Sequence, residues 1–485
     1  MKARRDYVGL KVTILGMARQ GLALGRFFIA AGARVTFSDR RSAEELAEAR
    51  REMLQYAAQQ GQPAPDFVFG GHPPALLDHT DLLCLSGGVS PDLPIVQAAA
   101  QRRIQLSNDG ELTLRHCPVP IIGITGSAGK TTTTTLVGLM LQAAGFTVQV
   151  GGNIGVPLID RLATFGPGDK AVMELSSFQL ELFAHSPAIA AILNITPNHL
   201  DRHPSMSHYA AAKANILRFQ EPGDICVLNA DDAYTGPWLL SGRCQVVEGS
   251  GQAGVYYPLR ATCLGFSLMG EVASGAFLSG DVLVWRRLGL PDARICRTSD
   301  IRLRGRHNVA NILAACCLAG AAGADVAAMA GVATSFGGVE HRLEVVRERA
   351  GVLWVNDSIA TTPERAIAAL QSFVEPVILL AGGRDKHLPW EEFAAIAGQR
   401  ARQVVLFGEA AELIAGALTA RSHSVSGEEL AVTRCADLEQ AVSVAERIGR
   451  PGDVVLLSPG GTSFDAYQDF AARGQHFRQL VEALP

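Results

Sequence analysis

Short runs in which nearly every residue is apolar alternate along this chain with longer stretches whose apolar residues recur every three or four positions. The first kind reads as strands buried on both faces and the second as helices covering them, the pattern of a parallel α/β sheet. Residues 11–15, a glycine turn, the alanine-rich stretch 22–31 and the run 34–37 form one β-α-β unit, a Rossmann-like opening. The run 82–85 continues it, and His116-Cys117-Pro118 interrupts the pattern before the next strand, 119–125. Runs at 171–175, 189–195 and 225–228 alternate with helical spacing, including 207–219, and 241–301 holds shorter β-like stretches between turns. A helix at 308–319 and Phe336-Gly337-Gly338 close this region, and the runs 377–380, 403–407 and 454–457 form another α/β set. Three domains are predicted: a Rossmann-like domain at 1–117, a central parallel-sheet domain at 118–338 and a second Rossmann-like domain at 339–485.

A chain of 485 residues exceeds what one hydrophobic core supports, in keeping with that division. Apolar residues at 48% and charged residues at 19% leave enough apolar surface for large cores. The formal net charge of −4, without long runs of either sign, provides no footprint for a polyanion, so nucleic acid is excluded as a partner. Nine cysteines without C-x-x-C spacing argue against a disulfide framework or zinc site and for buried thiols in a reducing compartment. No run of about 20 uncharged apolar residues could cross a membrane. The basic N-terminus leads into a strand-like segment rather than a signal sequence. A soluble, cytoplasmic monomer with no membrane partner is expected.

The most specific local signal is Gly126-Ser127-Ala128-Gly129-Lys130-Thr131-Thr132, between the strand 119–125 and a helical stretch. Backbone N–H groups in such a turn point at a phosphate, the helix N-terminus adds partial positive charge, and Lys130 adds a full one. The Thr131 and Thr132 hydroxyls can reach Mg²⁺. The loop is shorter than the usual G-x-x-x-x-G-K-[ST], yet its strand-loop-helix context predicts ATP and makes the central domain P-loop ATPase-like. Near the N-terminus, Gly16-Met17-Ala18-Arg19-Gln20-Gly21 has Ala18 where a dinucleotide loop has its central glycine, while Asp39 ends the second strand, where ribose hydroxyls would be held. A nicotinamide dinucleotide, another nucleotide and a structural turn all stay open there. Glu174 sits at the end of one predicted parallel strand and His199 follows the next, at the sheet edge where ligands gather. Each is a metal ligand or an ordinary hydrogen-bonded loop residue.

The segments Thr125-Gly126-Ser127-Ala128-Gly129-Lys130-Thr131, Gly152-Asn153-Ile154-Gly155, Glu174-Leu175-Ser176-Ser177-Phe178-Gln179-Leu180 and Asn194-Ile195-Thr196-Pro197-Asn198-His199-Leu200-Asp201 stand in the order and spacing of the Mur ligases, and the chain resembles that family. The resemblance continues through Gly305-Arg306-His307-Asn308, Glu340-His341-Arg342, Asn356-Asp357-Ser358 and Ser458-Pro459-Gly460-Gly461-Thr462-Ser463, nearly the whole chain. Glu-Leu-Ser-Ser-Phe-Gln is similar to the glutamate-adding member. The resemblance implies an ATP-dependent ligase that joins D-glutamate to UDP-N-acetylmuramoyl-L-alanine through an acyl phosphate, in peptidoglycan precursor synthesis. It implies that Gly126, Ser127, Ala128, Gly129, Lys130, Thr131 and Thr132 hold the ATP phosphates, that Asn308 and Asn311 meet adenine, and that Arg342 and Asp357 reach the nucleotide. Thr132, Glu174, His199 and Lys213 would serve two Mg²⁺ ions. Lys213 would do so as a carbamate, because an ammonium repels a metal whereas its carbamate is an anionic ligand. Lys130, His199 and Lys213 are then the catalytic candidates. The UDP moiety falls to Ala18, Arg19, Asp39, Arg40 and Asn153, which favours UDP over a dinucleotide, and glutamate falls to Thr361, Lys386, Ser463 and Phe470.

Three departures from the family's pattern bear on specificity. Ile359 stands where lysine is common, Asn198 where aspartate precedes the histidine, and Ser86-Gly87-Gly88-Val89 where Ser-Pro-Gly is usual. Loss of a cation beside a dicarboxylic substrate makes L-glutamate or another amino acid the alternative. A nicotinamide-dependent oxidoreductase would leave Lys130, Glu174, His199 and Lys213 unexplained together. A non-catalytic ATP-binding regulator would have no use for Lys213 or an amino-acid pocket. Because Lys130 and Lys386 would serve one reaction, closure of the third domain is also expected.

Overall fold

Strands that are apolar at every position need cover on both faces, and the sheets of this chain provide it. The computed structural model describes residues 6–485 apart from 88, 198–202, 247–254, 304, 387 and 421–429. It divides into two compact units, residues 1–336 and 337–485.

In the first unit, β1 (Lys11–Leu15), β2 (Arg34–Asp39), β3 (Asp66–Phe69), β4 (Leu82–Leu85) and β5 (Gln105–Asn108) form an all-parallel sheet in the order β3-β2-β1-β4-β5. Ile14, Phe28 and Phe37 are fully buried in its core. Helix Arg19–Ala30 begins earlier than its apolar spacing suggested, directly after the glycine turn. Gly21 allows this: a Cβ there would collide with the Gly16 carbonyl.

A second sheet of the same unit contains β6 (Ile121–Thr125), β7 (Val148–Gly152), β8 (Lys170–Glu174), β9 (Ile189–Ile192) and β10 (Ile225–Asn229). Beyond a separate antiparallel pair, β11 (Arg243–Val246) and β12 (Val255–Pro258), it continues in β13 (Thr262–Ser267), β14 (Gly275–Ser279), β15 (Val282–Arg286) and β16 (Ala293–Arg297). The order is β16-β15-β14-β13-β10-β9-β6-β8-β7. Pairing is parallel from β7 to β14 and antiparallel at β15 and β16. The expected parallel sheet thus carries an antiparallel edge built from the β-like stretch before residue 301. The link Gly280-Asp281 between β14 and β15 is far too short for a parallel crossover. Because β6 lies between β8 and β9, the chain reverses direction across the sheet here, and the ends of these three strands border the crevice where such sheets bind ligands.

The second unit holds β17 (Glu344–Arg349), β18 (Val352–Asn356), β19 (Val377–Gly382), β20 (Ala401–Phe407), β21 (Ala431–Arg434) and β22 (Val454–Gly460), ordered β17-β18-β22-β19-β20-β21 with only β17 antiparallel. Alternate residues serve opposite cores, as a period of two requires. Leu353, Val355, Leu379 and Leu456 face one core, and Trp354, Ile378, Leu380 and Leu457 the other. Insertion of β22 between β18 and β19 makes this sheet's own switch point. Among the described residues no helix is long and apolar enough to cross a membrane.

Candidate active site

The phosphate loop leaves β6 and enters helix Lys130–Ala143 through Gly129, whose φ of 81° lies in the left-handed region. A side chain there would be strained and would strike the Asn311 carboxamide as well. The turn is stapled to the segment after β9. Ser127 N donates to Asn194 O at 3.0 Å, Ala128 N to Asn194 Oδ1 at 2.8 Å, and Ser127 Oγ to Thr196 O at 3.0 Å. Asn311 Nδ2 donates to Asn308 Oδ1 at 3.1 Å, so both asparagines of helix Arg306–Ala321 stand beside the loop.

Lys130 folds back over its own turn, Nζ donating to Gly126 O at 2.8 Å and Ser127 O at 3.2 Å. Lys213, on helix Met206–Arg218, donates to the same Gly126 O at 3.0 Å. It is 1% exposed, with Nζ 4.5 Å from the Tyr209 ring centre. Burial first and the Lys130 charge second hold its ammonium well below the usual lysine range, which favours the neutral amine.

Glu174 ends β8 and is 2% exposed. Its Oε2 accepts Thr131 Oγ1 at 2.8 Å and its Oε1 accepts Asn153 Nδ2 at 3.1 Å. Thr131, not Thr132, is the loop threonine that reaches this carboxylate, because consecutive helical residues point about 100° apart. Arg19 Nη2 donates to Asn153 O at 3.1 Å, which carries the connection on to the N-terminal glycine loop. The carboxylate therefore meets a hydroxyl and an amide, both neutral. Among the described residues no three His, Cys, Asp or Glu side chains converge as a metal set. A buried carboxylate and a hydroxyl at a phosphate loop fit Mg²⁺, which binds through one or two carboxylates together with phosphate and water oxygens. His199 and Asn198 lie outside the described residues, as does Gly88. His203, which the sequence did not single out, is buried, 3.0 Å from Ser177 Oγ and 3.3 Å from Glu181 Oε1, with its ring stacked on Phe178.

At the end of the first sheet, Ala18, Asp39 and Arg40 line a cavity of about 280 Å³ that His72 also borders. Both Asp39 oxygens are engaged by protein groups: Oδ2 accepts Met17 N and Arg41 Nη2, and Oδ1 accepts Arg41 N and Arg41 Nε. Burial would raise its pKa, but the Arg41 guanidinium and two backbone N–H groups outweigh that and hold it at about 2. Gln20 was also missed, although it sits within the glycine loop. Its Oε1 accepts Gly87 N at 2.8 Å, while its Nε2 is buried without a partner.

In the second unit, Thr361 follows β18, Lys386 follows β19 and Ser463 follows β22, so three strand ends bring them to one sheet edge. Phe470 opens helix Phe470–Glu482. Asp357 accepts Leu343 N at 3.2 Å and Ser458 Oγ at 2.8 Å, and burial pushes its carboxyl up to about 7, with Arg342 and Arg365 among the groups opposing the rise. Arg365 Nη1 donates to Ile359 O at 3.3 Å. Arg473, 0% exposed, braces the edge from below: its guanidinium donates to Ser358 O, Ser358 Oγ, Gly461 O and Thr462 O. Nothing in the helical spacing around Arg473 signals that role.

Residues 10–108 match the Mur ligase MurD-like N-terminal domain, 124–319 the Mur ligase middle domain, and 341–461 the Mur ligase glutamate ligase domain. The chain is 42% identical over 475 residues to the UDP-N-acetylmuramoylalanine--D-glutamate ligase of Symbiobacterium thermophilum, covering 98% of each. It is 38% identical over 481 residues to the ligase of the same name from Pelotomaculum thermopropionicum, covering 99% of each. A solved UDP-N-acetylmuramoyl-L-alanyl-D-glutamate--2,6-diaminopimelate ligase superimposes with a TM-score of 0.53 at 19% identity over 94% of each chain. The UDP-N-acetylmuramate-alanine ligase of Thermotoga maritima gives 0.50 at 20% identity over 98% of this chain and 99% of its own. These two likenesses concern the fold. With its phosphate loop joined to a buried strand-end carboxylate, and with relatives matched over almost its entire length, the chain belongs to the Mur ligase family.

Proposed function

We propose that this protein is an ATP-dependent ligase that joins D-glutamate to UDP-N-acetylmuramoyl-L-alanine in peptidoglycan precursor synthesis. The observation that carries the reading is the Thr131–Glu174–Asn153 cluster at the phosphate loop, in a chain 42% identical end to end to a relative named for that reaction. The backbone of Gly126, Ser127, Ala128 and Gly129 cradles ATP phosphates, and Lys130 turns from its own carbonyls to the phosphate oxygens. Asn308 and Asn311 take the adenine, and Arg342 and Asp357 belong with the nucleotide by the family's pattern. Glu174 and Thr131, rather than Thr132, would hold Mg²⁺, with His199 and a carbamate on Lys213 as the further ligands for two ions. Bound Mg²⁺ would neutralise charge on the phosphates. A neutral, buried amine is the form that adds CO₂, which is why Lys213 suits carbamylation.

The muramoyl-alanine carboxylate attacks the γ-phosphate, giving an acyl phosphate and ADP, and the glutamate amine then displaces phosphate. Catalysis rests on positioning and electrostatics, with no protein nucleophile. Thr361, Lys386, Ser463 and Phe470 are assigned to glutamate. The relatives matched over nearly their whole length are named for D-glutamate, so L-glutamate is not favoured, and Arg365, donating to the Ile359 carbonyl, offers a cation near the position where lysine is common. A nicotinamide reading loses its footing because Asp39 has no acceptor left for ribose. Ala18, Arg40, Arg19 and Asn153 remain assigned to the UDP substrate. A cytoplasmic monomer of three domains, 1–117, 118–338 and 339–485, belongs to the same proposal.

Phosphate release from ATP with UDP-N-acetylmuramoyl-L-alanine tests this reading when run separately with D-glutamate, L-glutamate and other amino acids. Release that depends on D-glutamate is expected; no amino-acid-dependent release with any of them would overturn the assignment.

A further inference from the structure

In the cavity at the edge of the first sheet, the polar groups differ in what they have left to offer a ligand. The four hydrogen bonds to Asp39 fill the four lone-pair sites of a carboxylate. Arg41 is bound up in the same pairing, and Arg40 can only donate. His72 borders the cavity from the loop after β3, a loop held to β2 by Gly71 N donating to Asp39 O at 3.1 Å.

Ser38 sets the His72 tautomer. It is 0% exposed, and its single O–H donates to Gly71 O at 2.9 Å. Its Oγ also lies 2.8 Å from His72 Nδ1. With the Ser38 proton committed to Gly71, Nδ1 carries a hydrogen and donates to Oγ, which leaves the lone pair of the neutral ring on Nε2. Burial and then the Arg40 charge lower the imidazole pKa, outweighing Asp39, so the ring is neutral near pH 7. No side chain among the described residues occupies Nε2.

A diphosphate in a Rossmann-like domain sits at the glycine loop and helix N-terminus, here residues 16–21, which directs the nucleoside towards the end of β2. His72 stands there. Uracil presents N3–H, a donor, between two carbonyl acceptors, whereas cytosine presents a lone pair at N3. We propose that His72 reads the uracil of the nucleotide substrate, its Nε2 accepting N3–H, with the Arg40 guanidinium placed to meet a uracil carbonyl. This rests on the UDP-substrate reading above and names the group that selects its base.

The test compares UDP-N-acetylmuramoyl-L-alanine with its CDP and N3-methyl-UDP counterparts in the phosphate-release assay. It uses the unaltered protein, His72→Leu and His72→Gln. The unaltered protein should prefer the uridine substrate by about tenfold or more in kcat/KM. His72→Leu should raise KM for that substrate about tenfold at unchanged kcat and bring the three nucleotides within about twofold of one another. His72→Gln keeps an acceptor and should retain part of the preference. Equal use of the N3-methyl substrate by the unaltered protein, or an undiminished preference in His72→Leu, would overturn the base assignment and leave the ligase reading standing. No turnover with any nucleotide would overturn the ligase reading and this inference with it. Should His72→Leu fail to fold, His72→Phe takes its place with the same expected and overturning results.

Discussion

Thr131 and Thr132 are adjacent residues of one type, yet only Thr131 places its hydroxyl on Glu174. Replacing Thr131 with valine keeps the helix and removes that oxygen, so initial phosphate-release rates should fall at least about tenfold while Thr132→Val stays within about threefold. The reverse ranking would return the metal role to Thr132. Lys213 makes a second residue-scale prediction. With its amine replaced in Lys213→Ala, activity should drop below detection and recover in part when a small carboxylate such as formate is added to the assay. A variant as active as the parent would exclude the carbamate. Lys130 and Glu174 were legible because a glycine loop and a strand end mark them locally, whereas Lys213, on an alanine-rich helix with no pattern of its own to mark it, came only from the family resemblance. Gln20 and Asn194 were not, since their roles depend on which carbonyl or amide another segment brings to them. Asp39 was legible in position, but its pairing with the Arg41 guanidinium was not, because that partner lies two residues away on a turn.

Helix Phe470–Glu482 covers one face of the sheet with Phe477 and Val481, and it also delivers Arg473 beneath the edge that carries Ser358, Gly461 and Thr462. Burial lowers the pKa of that guanidinium to about 10, still charged at neutral pH, and its donors satisfy carbonyls from two strand ends at once. Arg473→Met would leave the Ser358 and Gly461 carbonyls without partners, Thr462 O keeping Arg384 N, and should destabilise the second unit by about 3 kcal/mol. Arg473→Lys, with three donors in place of a planar fork, should recover only part of this. Chemical denaturation followed by Trp354 and Trp390 fluorescence, both tryptophans of that unit, measures the loss; a midpoint unchanged in Arg473→Met would remove Arg473 from this role. Interior strands such as β1, β4, β6, β9, β10, β19 and β22 were readable because fully buried parallel strands are apolar throughout, whereas β18, interior and just as buried, was not singled out. Edge strands such as β3, β5 and β21, half exposed and mixed in polarity, left no such run. The antiparallel pair β14-β15 was hidden in a stretch recognised only as β-like, because pairing direction follows from a two-residue link rather than from apolar content.

Three buried or half-buried carboxyls combine into a pH profile for the molecule as a whole. Asp39, held at about 2 against an ordinary value of 3.8, contributes stability that is present above pH 3.8 and is lost as pH falls through 2. Asp109 and Asp357 act in the opposite sense. Burial raises Asp109 to about 6, against Gln179 and backbone hydrogen bonds that work to lower it, and raises Asp357 to about 7. The folded state binds their protons more tightly than the unfolded chain does, so their contribution is complete below pH 3.8 and is lost as pH rises through 6 for the first unit and through 7 for the second. Stability from these groups is therefore greatest near pH 4 and declines towards neutrality, and thermal unfolding of the second unit should fall by about 5 °C between pH 5 and pH 8. Asp357→Asn should flatten that decline without moving the transition of the first unit, and Asp109→Asn, which keeps an oxygen for Gln179 Nε2, should do the converse. Scanning calorimetry at pH 5, 6, 7 and 8 separates the two. A decline equally steep in Asp357→Asn would mean that the buried carboxyl at the β18 edge does not govern the pH response of its unit.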